Sequence, residues 1–156
     1  MRHFVIAAAV LLTACGSSEK STTVGGTTFA SDDGKGTASI TTEKGSIRTA
    51  EGEAAARVVM PAYAPLYPGA TVTSVIETES EGRKTKMVTL STSDAIGKVI
   101  DFYKGTLAKA GWKVPSSFLS DDGGMMSGEK DGKTVSLAIS REEDGKTNAL
   151  ITVPND

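Results

Sequence analysis

The sequence predicts an α+β fold: an antiparallel sheet of about five or six strands with one helix packed on one face, in β-β-α-β-β-β order. Three observations lead there. Glu81-Gly82 and Asp131-Gly132 each sit between segments of alternating character, the signature of two-residue hairpin loops. A single stretch, from Asp94 to Lys109, repeats its apolar residues at helical spacing. No second such stretch follows, so one helix must cover one face of the sheet.

The first 14 residues read differently from the rest. Arg2 and His3 precede an apolar run from Phe4 to Leu12. That run falls short of the ~20 apolar residues a bilayer span needs and has the length of a signal-peptide core. It ends in Leu12-Thr13-Ala14-Cys15, which resembles the lipobox of bacterial lipoproteins. The resemblance implies a signal peptide over 1–14, cleavage before Cys15 and acylation of Cys15, which would anchor the chain to a membrane. Two or more acyl chains hold a protein stably where one does not. Gly16 and Ser17 are not the acidic residues that retain such proteins at the inner membrane, so the resemblance implies the outer membrane, facing the periplasm. The lipidated Cys15 and the Ser-, Thr- and Gly-rich stretch through residue 36 read as a flexible tether of ~25 Å mean reach.

Residues 37–60 suggest a small hairpin turning near Lys44-Gly45 and a short helix from Glu53 to Val59, ended by Pro61. The α+β domain then covers 61–156. Pro61, Pro65 and Pro68 make its first segment irregular and extended. Strands are expected over 71–78 and 84–91. Their register sets Glu79 against Lys84, Glu77 against Lys86, Ile76 against Met87 and Val75 against Val88, which matches charge with charge and apolar with apolar. Ser93 caps the helix and Asp94 suits its positive end. Ile96, Val99, Ile100, Tyr103 and Leu107 form its buried face, and Gly111 ends it. A strand broken at Pro115 follows over 112–118, then a hairpin over 125–130 and 133–140. The final turn has Gly145 left-handed in a three-residue loop. That choice puts Val135, Leu137, Ile139, Ala149, Ile151 and Val153 on one face.

Leu66-Tyr67-Pro68-Gly69-Ala70, followed by a strand, by Asp94 opening a helix with Phe102, Tyr103 and Leu107, and by Gly111-Trp112, resembles a family of small uncharacterised bacterial envelope lipoproteins over roughly 61–153. The family brings no activity, cofactor or catalytic residue with it.

Composition narrows the chemistry. Hydrophobic residues are 38% of the chain and aromatics 5%, so the core is small and mostly aliphatic. Net charge is -2 with both signs interspersed, which offers no footprint for nucleic acid. The one Cys is Cys15 and the one His is His3. Cleavage would leave no His and no free thiol, which excludes Ser-His-Asp and Cys-His catalysis and Cys/His zinc sites. Gly132-Lys133-Thr134 and Gly145-Lys146-Thr147 end like phosphate loops but have Ser127 and Ser140 where the first Gly is required. The acidic stretch 121–124 is the best place for calcium, yet it lacks the loop spacing. No catalytic residue, metal or cofactor is therefore assigned. Tyr63 and Tyr67 suggest a docking strip, and Met125 and Met126 a possible binding surface with one Met turned in and one out. The leading expectation is a non-enzymatic envelope lipoprotein that contacts an envelope protein partner. The alternative is a small-molecule or lipid carrier using a groove between helix and sheet, widened by Gly97 and Gly105.

Overall fold

A computed structural model of the chain describes residues 19–155; Cys15, the leader before it and the cleavage site lie outside the described residues. Ten strands form one antiparallel sheet: β1 (Glu19–Val24), β2 (Thr27–Asp32), β3 (Thr37–Thr42), β4 (Gly45–Glu51), β5 (Thr71–Ser80), β6 (Arg83–Thr92), β7 (Lys113–Leu119), β8 (Gly123–Lys130), β9 (Lys133–Arg141) and β10 (Thr147–Pro154). Their spatial order is β1-β2-β3-β4-β5-β6-β10-β9-β8-β7. Two helices interrupt them, α1 (Gly52–Ala56) before β5 and α2 (Ile96–Lys109) after β6.

This corrects the expected fold class. The sheet has ten strands where five or six were expected, and the helical content is two short helices in a mostly β chain. The difference arises upstream. The 15–36 segment, expected as a flexible tether, carries β1 and β2 over its described part. They turn at Gly25-Gly26, both left-handed (φ 56° and 79°), as a two-residue primed turn requires. β3 and β4 form a hairpin turning at Glu43-Lys44, one residue ahead of the expected turn. β4 then pairs with β5 from Gly45↔Ser80 to Glu51↔Ser74, so the first four strands extend the same sheet.

Further along, the pairings follow the side-chain pattern. Glu79↔Lys84, Glu77↔Lys86, Ile76↔Met87 and Val75↔Val88 stand opposite each other across β5 and β6. Met126↔Leu137 and Gly128↔Val135 pair across β8 and β9, and Leu137↔Ile151 across β9 and β10. Gly145 is left-handed at φ 82°. β7 shifts register between Lys113 and Ser116, around Pro115, which has no N–H to give the ladder.

α2 buries Ile96, Val99, Ile100, Tyr103 and Leu107 against the sheet. Its start differs from the sequence reading. Ala95 is the N-cap and no side chain caps the helix; Asp94 instead accepts hydrogen bonds from Tyr67 Oη (2.8 Å) and Lys98 Nζ (3.2 Å). Its end is a Schellman motif: Trp112 N–H donates to Leu107 O and Gly111 N–H to Ala108 O, with Gly111 at φ 77°. Lys130 Nζ donates to Ala110 O (2.8 Å), placing a cation at the negative helix end.

The irregular segment 57–70 crosses the same face beside α2. Tyr103 Oη donates to Pro65 O (2.9 Å), Lys86 Nζ to Val59 O (2.9 Å) and Tyr63 Oη to Pro154 O (3.3 Å). Ala70 N–H bonds to Tyr67 O around Pro68 and a left-handed Gly69, the residue order of a type II turn.

The Tyr67–Asp94 bond gives a pH-dependent prediction. The Tyr67 phenol and then the Lys98 ammonium hold the Asp94 carboxyl below its ordinary value of 3.8, because both favour the ionised form. A carboxyl depressed by folding adds stability above the unfolded value, lost as pH falls through the folded one. Tyr67→Phe should therefore raise the Asp94 pKa and shrink the stability difference between neutral pH and pH 3. A carboxyl NMR titration checks this; an unmoved Asp94 titration would show that the bond is not formed in solution.

Candidate functional site

The sheet has two unequal faces. Cross-strand register sorts every residue of β1–β6 onto one or the other. On the side that carries α1 and α2, one row runs Ala30, Ser39, Arg48, Glu77, Lys86 across β2 to β6, and its neighbour runs Asp32, Thr37, Ala50, Val75, Val88. The second row ends in the core, since Val88 is fully buried and Val75 nearly so. α2 packs on the β7–β9 side and α1 on β4 and β5, which leaves the β2–β4 part of this face unroofed.

A cavity of about 310 Å³ lies there, lined by these rows together with Glu19. Its volume is at the lower end of the ~300–1,000 Å³ that small-molecule sites occupy. Ala30, Ala50 and Val75 supply apolar surface, and Asp32, Arg48 and Glu77 supply charge. Two of the three lining carboxylates, Asp32 and Glu77, are already paired. Asp32 is 8% exposed; the Lys35 ammonium at 2.8 Å, helped by the Lys35 and Gly34 backbone N–H groups, holds it below the usual carboxylate range. Glu77 meets Lys86 at 3.2 Å. Lys86 is itself largely buried and also bonds the Val59 carbonyl, so this pair is built into the fold. Arg48 is exposed and has no ion pair among the described residues. The groove therefore presents an apolar floor, one available guanidinium and the Glu19 carboxylate at its rim.

None of the binding candidates named from the sequence, Tyr63, Tyr67, Met125 and Met126, lines this cavity. Tyr67 is buried, bonded to Asp94 and edge-on to Phe102 at 5.2 Å. Tyr63 stacks on Trp112 at 4.8 Å. Both hold segment 57–70 onto the sheet and α2. Met126 is buried and Met125 is exposed, as adjacent strand positions require. Against the middle of the sheet the helix leaves no groove, but at its start Ile96 and Gly97 line an open cleft with Leu119, Asp121, Asp122 and Arg141. Ile100 and Leu107 fill the layer over the middle of the sheet so closely that a Cβ added at Gly124 would meet Ile100 Cδ1 at 2.6 Å. Gly105 faces open space, so it widens nothing. At 121–124, Arg141 donates to the Asp121 carbonyl, which sets a cation beside the acidic turn. Among the described residues no cluster of three or more His, Cys, Asp or Glu is placed to hold a metal ion, and no helix is long and apolar enough to cross a membrane.

The groove residues were missed because they lie in the segment read as tether and marginal hairpin. One signal pointed to them: Gly25-Gly26 between Thr22-Thr23-Val24 and Thr27-Thr28-Phe29 is a hairpin pattern built on β-favouring Thr.

The ten-stranded antiparallel sheet thus carries helices on part of one face, with a part-apolar groove beside them. Residues 72–146, just under half of the chain, match the START domain-like family. The match spans β5 to the loop before β10, so β2–β4, which build most of the groove, lie upstream of it. No curated protein and no solved structure matches the chain.

Proposed function

We propose that this chain is a non-enzymatic binding module of the bacterial cell envelope, held on the outer membrane by lipid on Cys15, and that the β2–β5 groove takes a small ligand. The observation that carries the ligand reading is the groove itself: about 310 Å³, with an apolar floor and an Arg48 guanidinium that the chain leaves unused. The START domain-like match over 72–146 is compatible with a ligand-binding module and supports the carrier alternative over the protein-contact expectation. The groove lies beside the helix layer, not between helix and sheet. Anchor and localisation rest on the lipobox resemblance of Leu12-Thr13-Ala14-Cys15. The absence of assigned catalysis rests on the lack of His and free thiol beyond the leader.

Native mass spectrometry of the protein purified gently from its membrane tests the reading. A bound mass that disappears in Ala50→Trp, which fills the groove, and weakens in Arg48→Ala is the expected result. A clean apo mass for the parent protein would sink the carrier reading.

Protein contact is the second reading. β1 and β7 each leave one edge without a strand partner among the described residues, and a strand edge is a template for an added strand. In-cell crosslinking from the two edges distinguishes it from the carrier: a specific partner captured there favours contact.

A further inference from the structure

The face of the sheet opposite the helices has an unusual composition. A half-solvated antiparallel sheet ordinarily turns polar and charged residues outward. Here every outward residue of β2 and β3 is Thr, Ser, Ala, Phe or Ile. The exposed Phe29, Ile40 and Ile47 stand directly opposite one another across β2, β3 and β4. On the far half, Leu150, Met125 and Phe118 continue the same face, and all six side chains are between 38% and 60% exposed. Among the charged residues of β1–β4, Glu19, Asp32 and Arg48 lie on the other face, while Lys20 and Glu51 lie on this one, at its β1 edge and at the end of β4. An exposed apolar patch with charge only at its margins marks a surface that meets something.

We propose that the open face of β1–β4 lies on a lipid surface. This rests on the lipid-anchor reading above. Cys15 stands four residues ahead of Glu19, where β1 begins. At no more than ~3.3–3.6 Å per residue, that length holds the β1 edge within roughly 14 Å of the acylated residue. Strands are spaced ~4.7–4.9 Å apart and residues ~3.4 Å along a strand, so Phe29, Ile40 and Ile47, in the row of Thr22, follow within about another 18 Å of Glu19. The folding of residues 19–32 into strands has thus turned a long tether into a short one, and it brings the sparsely charged face to the bilayer. The composition suits that place. Phe and Ile enter the boundary between headgroups and acyl chains, Thr and Ser hydroxyls remain hydrogen-bonded to headgroup oxygens, and Lys20 and Glu51, at the margins of the face, keep their solvation.

The test uses the full lipidated protein in phosphatidylethanolamine–phosphatidylglycerol vesicles. With the Cys15 thiol acylated, Ile40→Cys gives one free thiol for a bimane label. Asp101→Cys, exposed on α2, gives the reference on the helix side. Nitroxide-bearing lipids are expected to quench the label at position 40 several-fold more than at position 101, and Ile47→Cys should repeat the result if Ile40→Cys misfolds. Protein that floats with the vesicles but is quenched equally weakly at both positions overturns the inference and leaves the anchor standing. Equal weak quenching with position-40 thiols that crosslink to each other assigns the face to a second copy. Protein that does not float at all refutes the anchor, and this inference with it.

Discussion

Replacing Leu107 by Ala is expected to lower the free energy of unfolding by about 2–5 kcal/mol. Leu107 is 1% exposed in the last turn of α2 and packs onto the β7–β9 side of the sheet. Its loss would remove apolar burial and leave a cavity that the close-packed strands beneath cannot fill. Gly128 on β8 gives the sharper form of the prediction. A Cβ built there would meet Leu107 Cδ1 at 3.0 Å, so Gly128→Ala alone should cost on the order of 1–3 kcal/mol by overpacking. In the double variant the new methyl enters the space that Leu107 vacates. The two losses should then sum to less than their separate values by about 0.5–3 kcal/mol, the usual coupling of residues in contact. Denaturant titration of the four proteins measures this cycle. Strict additivity would mean that helix and sheet are not in the close contact described.

Gly45→Ala should have an effect of similar size at the other half of the sheet. Gly45 opens β4 opposite Ser80, and a Cβ there would overlap the Glu79 carbonyl oxygen. The obstacle is backbone, so a side-chain rotation cannot relieve it; the β4–β5 ladder must part at that end. The expected cost is about 1–3 kcal/mol or more. Its location matters more than its size. β1–β4 join the remaining strands through the β4–β5 pairing, aided by α1. Hydrogen exchange should therefore speed up in β1–β4 well beyond any change in β6 and β8–β10, as expected when one cooperative unit loosens. Uniform loss of protection across the sheet would contradict a junction of this kind.

Much of the second half was legible before the structure. The pairs Glu77↔Lys86 and Glu79↔Lys84 could be read from charge, and Leu137↔Ile151 from the need to keep one face apolar. A one-residue slip moves every side chain to the wrong face, so alternation fixes register strongly. The five buried residues of α2 were readable for the same reason, with a period of 3.6 in place of 2. Its N-terminus was not, because Asp94 has the composition of a helix start but is drawn to Tyr67, 27 positions earlier. Tyr63 and Tyr67, named in the sequence as a docking strip, pack onto Trp112 and Phe102 and hold segment 57–70 in place.

The sequence by itself determined the paired segments from Thr71 to Val153, the buried face of the one long helix, and the placing of the one His and the one Cys at positions 3 and 15. The tertiary structure alone decided that the sheet has ten strands and that the groove exists. The physical reason lies in β1–β4. They bury no large aliphatic side chain, so they carry no strong periodic signal and read as a Ser/Thr/Gly tether and a marginal hairpin. What orders them is the backbone ladder passed from β5 outward, strand by strand, and a hydrogen-bonded edge recruits its neighbour with little regard to side-chain sequence.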